Sequence, residues 1–416
     1  MSTTNNGKTG RALVLSPMLP PSSEEDRGGM HRRVGLWLRA LAQVSDRIDI
    51  VHIVPPALMA RGDDAAALDR DQSEFWGIPL HVHLTPRHTR RETLWNHYVS
   101  GMVSVSEQPA FRGYGGHALI ADISRHLGAD PDLVLVDRLE AMIPVLHRSC
   151  RPRRLMLDLN DVEHKLRWGT AGLSAGQVAG LLQLPALLAA EYRGVRLSTV
   201  TTVCSEIDRA HLARLGFGPS VTVLPNAVAL PQDPPGLGSA PAILFLGACT
   251  YGPNHDAAER LARRIWPAIR VAVPQARLIL AGQGTDRLPS RSDGIEGVEY
   301  RGFVAGLPEL YAETRLVCCP LLQRSGTRLK LVEAAAYARP MVSTRIGAEG
   351  LDFTDGTDIL IRETDRRIAE ACVALLHDDA ACPRLGRAAR VTMAARYDTA
   401  IVERRAVTLM TQPAPR

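Results

Sequence analysis

Apolar and polar positions follow two rhythms that succeed each other along the whole chain. Short runs dense in aliphatic residues (Ala12–Ser16, Ile48–Val54, Leu133–Val136, Arg154–Leu157, Ser198–Val203) have the length and composition of buried strands. Between them, stretches with apolar residues three and four apart predict amphipathic helices over Met30–Gln43, His117–Leu127 and Glu206–Leu215. The scheme begins again after residue 240. Ala242–Gly247, Ala276–Gly282, Val298–Phe303, Leu316–Pro320, Met341–Ser343 and Ile359–Ile361 read as strands. Asn254–Val271, Leu307–Glu313, Thr327–Ala338, Asp365–His377 and Ala380–Arg396 read as helices. Strands that alternate with helices in this way call for parallel sheets with helices on both faces.

The two series are separated by Leu224-Pro225-Asn226-Ala227-Val228 and then by a stretch dense in proline and glycine, Pro231 to Gly238, which resists both helix and strand. A chain of 416 residues also exceeds what one hydrophobic core organises. The expected plan is a frayed tail (1–10), a Rossmann-like domain (11–228), a linker (229–240) and a second Rossmann-like domain (241–395). The final helix, 396–416, would pack back on the first domain. Two doubly wound domains joined in this way would face a central cleft at their strands' carboxyl ends, where open α/β sheets bind ligands.

Composition narrows the function. The chain is 45% apolar and 22% charged, which excludes a disordered or fibrous protein. A net charge of +5, spread along the chain, excludes a nucleic-acid surface as its main business. Seven cysteines without a C-x-x-C pair read as buried, reduced thiols of a cytoplasmic protein. No apolar run approaches the roughly 18 residues of a membrane span. The basic cluster Arg87-His88-Thr89-Arg90-Arg91 is either a solvated loop or a peripheral contact with an anionic acceptor or lipid headgroup at the inner membrane face. Of 49 cationic residues only Lys8, Lys165 and Lys330 are lysines, a bias that draws attention to where each one sits.

Lys330 sits in Ser325-Gly326-Thr327-Arg328-Leu329-Lys330-Leu331-Val332-Glu333, where a strand gives way to a helix expected to start at about Ser325. Serine is a good N-cap, glycine admits close backbone approach, and the helix start is an anion site to which Arg328 and Lys330 add formal charge. Lys330 and Glu333 share one helix face. A nucleoside diphosphate would suit the segment, with phosphate at the helix start and ribose against Glu333. The alternative is an ordinary capped helix with a surface Lys–Glu pair.

The second half resembles the donor domain of retaining glycosyltransferases of family 4, with the GT-B fold. The likeness is carried by Ile243–Gly247, Ala276–Gly284, Tyr300–Val304, Leu316–Pro320, Ser325–Leu351 and, within the last, Ala338-Arg339-Pro340-Met341-Val342-Ser343-Thr344. The first half is less similar, through Gly28-Gly29 and Pro225-Asn226. Two departures stand out. Glu333 matches the second glutamate of the family's E-x7-E helix, but Ser325 replaces the first. The loop Gly247–Asn254 lacks the family's phosphate-binding cations, so that charge is assigned to Arg328 and Lys330. The resemblance implies a donor site of Gly28, Gly29, Gly247, Asn254, Phe303, Val304, Ser325, Gly326, Thr327, Arg328, Leu329, Lys330 and Glu333, with Phe303-Val304 cupping the base.

On the acceptor side Asp137 ends a strand and would orient an acceptor hydroxyl, unless it only caps the following helix. Asp161 and His164, in a polar segment after another strand, meet the acceptor or form a solvated loop. The D-x-D strings Asp69-Arg70-Asp71 and Asp130-Pro131-Asp132 are common by chance, and a cationic helix terminus neutralises a diphosphate unaided, so neither metal nor cofactor is expected. Gly282-Gln283-Gly284 lacks the third glycine of a dinucleotide fingerprint. The expected activity is transfer of a sugar from a nucleotide sugar to a hydroxyl of a saccharide, lipid-linked or small-molecule acceptor, with Asp137, Arg328 and Lys330 nearest the chemistry. An epimerase on the same fold and a degenerate GT-B assembly module are the rivals.

Overall fold

The computed structural model describes residues 9–19, 29–56, 65–87, 99–147, 152–169, 175–323 and 328–412. It divides into two compact units, Met1–Pro225 with Glu403–Arg416, and Asn226–Val402. The first unit contains β1 (Thr9–Ser16), β2 (Ser45–Val54), β3 (Leu80–Pro86), β4 (Leu133–Asp137), β5 (Leu155–Asn160), β6 (Val200–Val203) and β7 (Val221–Val223). They form one parallel sheet in the order β3-β2-β1-β4-β5-β6-β7. Leu13, Leu15, Val134 and Val136 meet apolar residues of the helices His117–Gly128, Arg138–Leu146 and Leu184–Leu197. The alternate residues Ala12, Val14, Leu133 and Leu135 are buried too, so both faces of the sheet are covered where β1 and β4 run and these stretches are apolar.

Two of these strands escape the hydrophobic pattern. β3 reads Leu-His-Val-His-Leu-Thr-Pro, with histidines on alternate positions of an edge strand, and β7 is a three-residue edge. An edge strand is covered less completely, so fewer of its positions need be apolar.

The second unit contains β8 (Ala242–Leu246), β9 (Arg277–Ala281), β10 (Val298–Tyr300), β11 (Leu316–Cys319), β12 (Met341–Ser343) and β13 (Leu360–Ile361), parallel in the order β10-β9-β8-β11-β12-β13. Phe245, Leu280, Val317 and Val342 share a core with Trp266, Leu331 and Ala335. The helix expected over Asn254–Val271 runs as Gly252–Arg260, one wide π turn at Leu261–Ile265, and Trp266–Ala272. In a regular ladder the Pro267 ring would collide with the carbonyl four residues back, and that residue lies in the wider turn.

The helix expected over Thr327–Ala338 is shorter. It spans Leu329–Ala336, with Arg328 rather than Ser325 at the cap position and no side-chain cap, and it ends before Ala338 turns left-handed at φ 54°. The proline-rich stretch 229–240 packs within the second unit. Arg390 donates to the Pro231 carbonyl at 2.6 Å, and buried Arg339 donates to those of Pro235 and Gly236 at 2.9 and 2.7 Å. The six cysteines among the described residues are buried free thiols. No described helix is long and apolar enough to cross a membrane.

Candidate functional site

Each sheet has one point where its strand order reverses, between β1 and β4 in the first unit and between β8 and β11 in the second. At such a point the following loops part to opposite faces and leave a crevice. The chemistry-bearing side chains gather there in both units.

In the second unit β8 ends against Gly247. Its amide donates to the Ala281 carbonyl at 2.9 Å, and Cys249 donates to Gln283 O at 2.7 Å, so the loop is pinned to the end of β9. Lys330, in the first turn of the helix after β11, reaches back across β8. Its ammonium donates to Asn254 Oδ1 at 2.7 Å and stands 4.4 Å from the centre of the Phe245 ring. Asn254 Nδ2 donates to the Ala248 carbonyl at 2.9 Å, which fixes the amide with its oxygen towards the lysine. A Cβ on Gly247 would lie 2.5 Å from Lys330 Nζ, so the ammonium occupies space that only glycine leaves open.

Burial pushes the lysine's pKa down, and Arg328 adds to the effect, while Cys319, Cys249 and Glu333 pull it back. Both thiols are themselves pushed up by burial, Cys249 to about 11, and so supply no anion at neutral pH. Among the described residues Lys330 makes no ion pair. A half-buried ammonium held by a neutral amide and a ring face is uncommon, because charges withdrawn from water are ordinarily paired.

Arg328 is buried and precedes the helix with ψ 81°. That non-helical turn removes the roughly 160° separation that a regular helix would impose on Arg328 and Lys330. Its guanidinium donates to the carbonyls of Gln323 at 3.2 Å and Ile346 at 3.5 Å. Leu329 begins the helix and Glu333 is buried within it. Phe303 follows β10 and is 61% exposed, as a stacking surface needs to be, with Val304 half-buried beside it. Ser325, Gly326, Thr327 and Gly28 lie outside the described residues, whereas Gly29 opens the helix Gly29–Val44.

In the first unit, Ser16 at the end of β1 donates to Asp137 Oδ2 at the end of β4, 2.7 Å away. Asp137 stands at the cap position of the helix Arg138–Leu146 yet makes no capping bond, which removes the helix-cap alternative. Burial, and then the charge of Asp158, raise its pKa to about 7. The next residue, Arg138, is left-handed with φ 71°, and Asn160 at the end of neighbouring β5 is left-handed with φ 59°. Non-glycine residues in this region store strain and concentrate at functional sites.

Asp161 is half-buried beyond Asn160, and its charge is among those acting on Arg138 and Glu163. His164 does not join it. The imidazole turns inward, bonding Glu191 through Nδ1 and His211 through Nε2 at 2.8 Å, so it braces the turn instead of facing a ligand. Glu163, which the sequence reading passed over, has its pKa raised to about 8 by burial, with Glu140, Asp161 and Glu191 adding to it. Fully buried Asp158 was missed as well. It accepts Arg33 Nε and Nη2 at 2.6 Å each, Trp37 Nε1 at 2.7 Å and Thr202 Oγ1 at 2.7 Å. A lone aspartate inside the apolar strand Leu-Met-Leu-Asp-Leu-Asn was the available signal.

The D-x-D strings serve the backbone. Asp69 accepts the Val82 amide at 2.6 Å and Asp132 the Arg11 amide at 3.0 Å. No group of three or more His, Cys, Asp or Glu among the described residues is arranged to hold a metal ion.

Residues 240–378 match the family model described as glycosyl transferases group 1. No curated protein matches the chain in sequence. Solved structures resemble it over nearly its whole length. Anabaena HepE, determined with UDP-glucose, is 15% identical at TM-score 0.62, covering 96% of this chain and 99% of its own. TarM of S. aureus, determined with UDP, alpha-GlcNAc-glycerol and Fondaparinux, is 10% identical at TM-score 0.64, covering 97% and 100%. Sucrose-phosphate synthase of Thermosynechococcus elongatus is 15% identical at TM-score 0.66, covering 96% and 98%. The fold is GT-B, and residues 240–378 of the second unit are similar to the group 1 glycosyl transferases.

Proposed function

We propose that the chain transfers a sugar from a nucleoside-diphosphate sugar to an acceptor hydroxyl with retention of configuration, without a metal or cofactor. The observation that carries this reading is the half-buried Lys330 ammonium, held by Asn254 and Phe245 with no ion pair among the described residues. A diphosphate oxygen would supply the missing charge, in a charge-assisted bond about twice as strong as a neutral one. The UDP complexes of the structural neighbours support a nucleotide ligand.

Each group then has one task. Lys330, Arg328, Gly28-Gly29 and the Ser325–Leu329 backbone stabilise the leaving diphosphate, Glu333 holds the ribose, and Phe303-Val304 meet the base. Gly247 and Asn254 shape the seat of the lysine. In the first unit Asp137, supported by Asp161, accepts a hydrogen bond from the acceptor hydroxyl, while His164 acts behind the turn. The sugar's anomeric carbon breaks its bond to phosphate oxygen and gains one to the acceptor oxygen on the same face. The acceptor proton passes to the departing phosphate.

A thermal-shift screen of UDP, GDP, dTDP and their sugars tests the donor half. Stabilisation by nucleotide diphosphates that Lys330→Ala removes supports the reading, and the absence of any stabilisation overturns it. The anomeric proton coupling of the first product by NMR reads retention, and turnover undiminished by EDTA reads metal independence. An altered nucleotide sugar formed without acceptor would instead mark an epimerase.

A further inference from the structure

The first unit contains a cavity of about 210 Å³ that none of these roles uses, lined by Ser106, Glu107, Arg112 and His117 and by Gly113, Gly115 and Gly116. It falls below the roughly 300–1,000 Å³ of pockets for drug-sized ligands, which leaves room for one small ring. Among the described residues no apolar side chain lines it. Arg112 is 8% exposed and the helix His117–Gly128 begins at the cavity, so a cation is disfavoured. Glu107 opposes an anion. A neutral ligand with several hydroxyls satisfies both, donating to Glu107 and accepting from Arg112, His117 and backbone amides.

The wall depends on bare backbone. A Cβ on Gly115 would come within 2.6 Å of Ser106 Cβ. Tyr114, between the glycines, turns its buried ring to Arg87, 5.2 Å from the ring centre. Burial raises its hydroxyl pKa to about 12, with Arg87, Glu140, Arg138 and Asp137 the charges acting on it. One short loop therefore borders both the cavity and the carboxyl end of β4.

We propose that this cavity is a subsite for a neutral sugar ring, the non-reacting ring of a saccharide acceptor. The acceptor role rests on the reading of the first unit given above, whereas the sugar-binding role stands on the cavity itself.

The full chain is titrated by saturation-transfer NMR and calorimetry with glucose, galactose, N-acetylglucosamine, glucosamine and glucuronate. At least one neutral sugar should bind more tightly than the two charged ones. Gly116 has φ −70° and ψ 137°, which any residue adopts, and a Cβ there would meet only the Gly113 carbonyl at 3.5 Å. Gly116→Val should therefore fill the cavity and weaken sugar binding by about tenfold or more, with UDP affinity unchanged and at most a small loss of Tm from the poorer N-cap. Glu107→Gln, which keeps the shape, should weaken it several-fold.

Absence of binding by every neutral sugar, or binding indifferent to both variants, means that the cavity holds water and overturns the proposal. Tighter binding of glucuronate or glucosamine overturns the neutral class. UDP, GDP and dTDP are titrated in parallel. Nucleotide binding without sugar binding sinks the subsite and spares the transferase reading. Sugar binding without nucleotide binding sinks the transferase reading and, with it, the acceptor role.

Discussion

Lys330 Nζ and Asn254 Oδ1 are 2.7 Å apart, and this neutral amide is the ammonium's one hydrogen-bond partner among the described residues. The pair joins the first turns of the two helices that follow β8 and β11. If the lysine awaits a phosphate, Lys330→Ala should weaken UDP, GDP or dTDP binding by about 1.5–3 kcal/mol, the scale of a hydrogen bond to a charged group. Asn254→Asp is the sharper test. It would pair with the ammonium where it stands and repel a diphosphate, so calorimetry should show a comparable loss without lower Tm. Unchanged affinity in both variants would remove phosphate from the assignment.

Gly247→Ala asks the same question without touching a charge. The added methyl would lie 2.5 Å from Lys330 Nζ and 3.1 Å from Asn254 Nδ2, both ends of movable side chains. The fold should therefore survive with a stability change within about 1 kcal/mol, while the ammonium is driven off its seat. We expect nucleotide affinity to fall about as far as in Lys330→Ala. Retention of full affinity would mean that the lysine's resting position is irrelevant to binding.

Asp158 and Arg33 form a buried ion pair whose side chains are 0% and 1% exposed. Removing one partner leaves a buried charge uncompensated, so Arg33→Ala should cost about 3–5 kcal/mol in chemical denaturation. The loss should be larger than for Arg209→Ala, whose i,i+3 partner Glu206 is surface-exposed, where such pairs contribute about 0–1 kcal/mol. Equal losses would show that the pair is not the clamp its geometry describes.

Parallel strands buried on both faces are rich in apolar residues, so their runs, the helices between them and the two-unit plan are legible. Edge strands β3 and β7 are less constrained and escaped notice. Lys330 and Glu333 were found because a local motif carries both. Ser16 and Asp137 are 121 residues apart, and His164 and Glu191 belong to different helices, so neither pairing leaves a local trace. Sequence placed Asp161 and His164 on one turn but could not show that the imidazole points away from it. The first turn near Ser325 was read from capping preference, and the observed start at Leu329 shows the backbone departing from it.

Asp137 offers a test in which stability and activity should move in opposite directions. The folded protein holds this proton up to about pH 7, whereas an ordinary aspartate releases it at 3.8. Between those values the folded state binds more protons than the unfolded chain, so this residue's contribution to stability falls as pH rises and is fully unfavourable above pH 7. The effect is at most about 4 kcal/mol. Asparagine can still accept the Ser16 hydroxyl but carries no charge. Asp137→Asn should therefore match the wild type in Tm near pH 4 and exceed it at pH 8. If the ionised carboxylate orients the acceptor hydroxyl, wild-type transfer should rise through pH 7 and the more stable variant should be slow throughout. A variant with equal or lower Tm at pH 8 would refute the electrostatic assignment, and undiminished transfer would remove Asp137 from the chemistry.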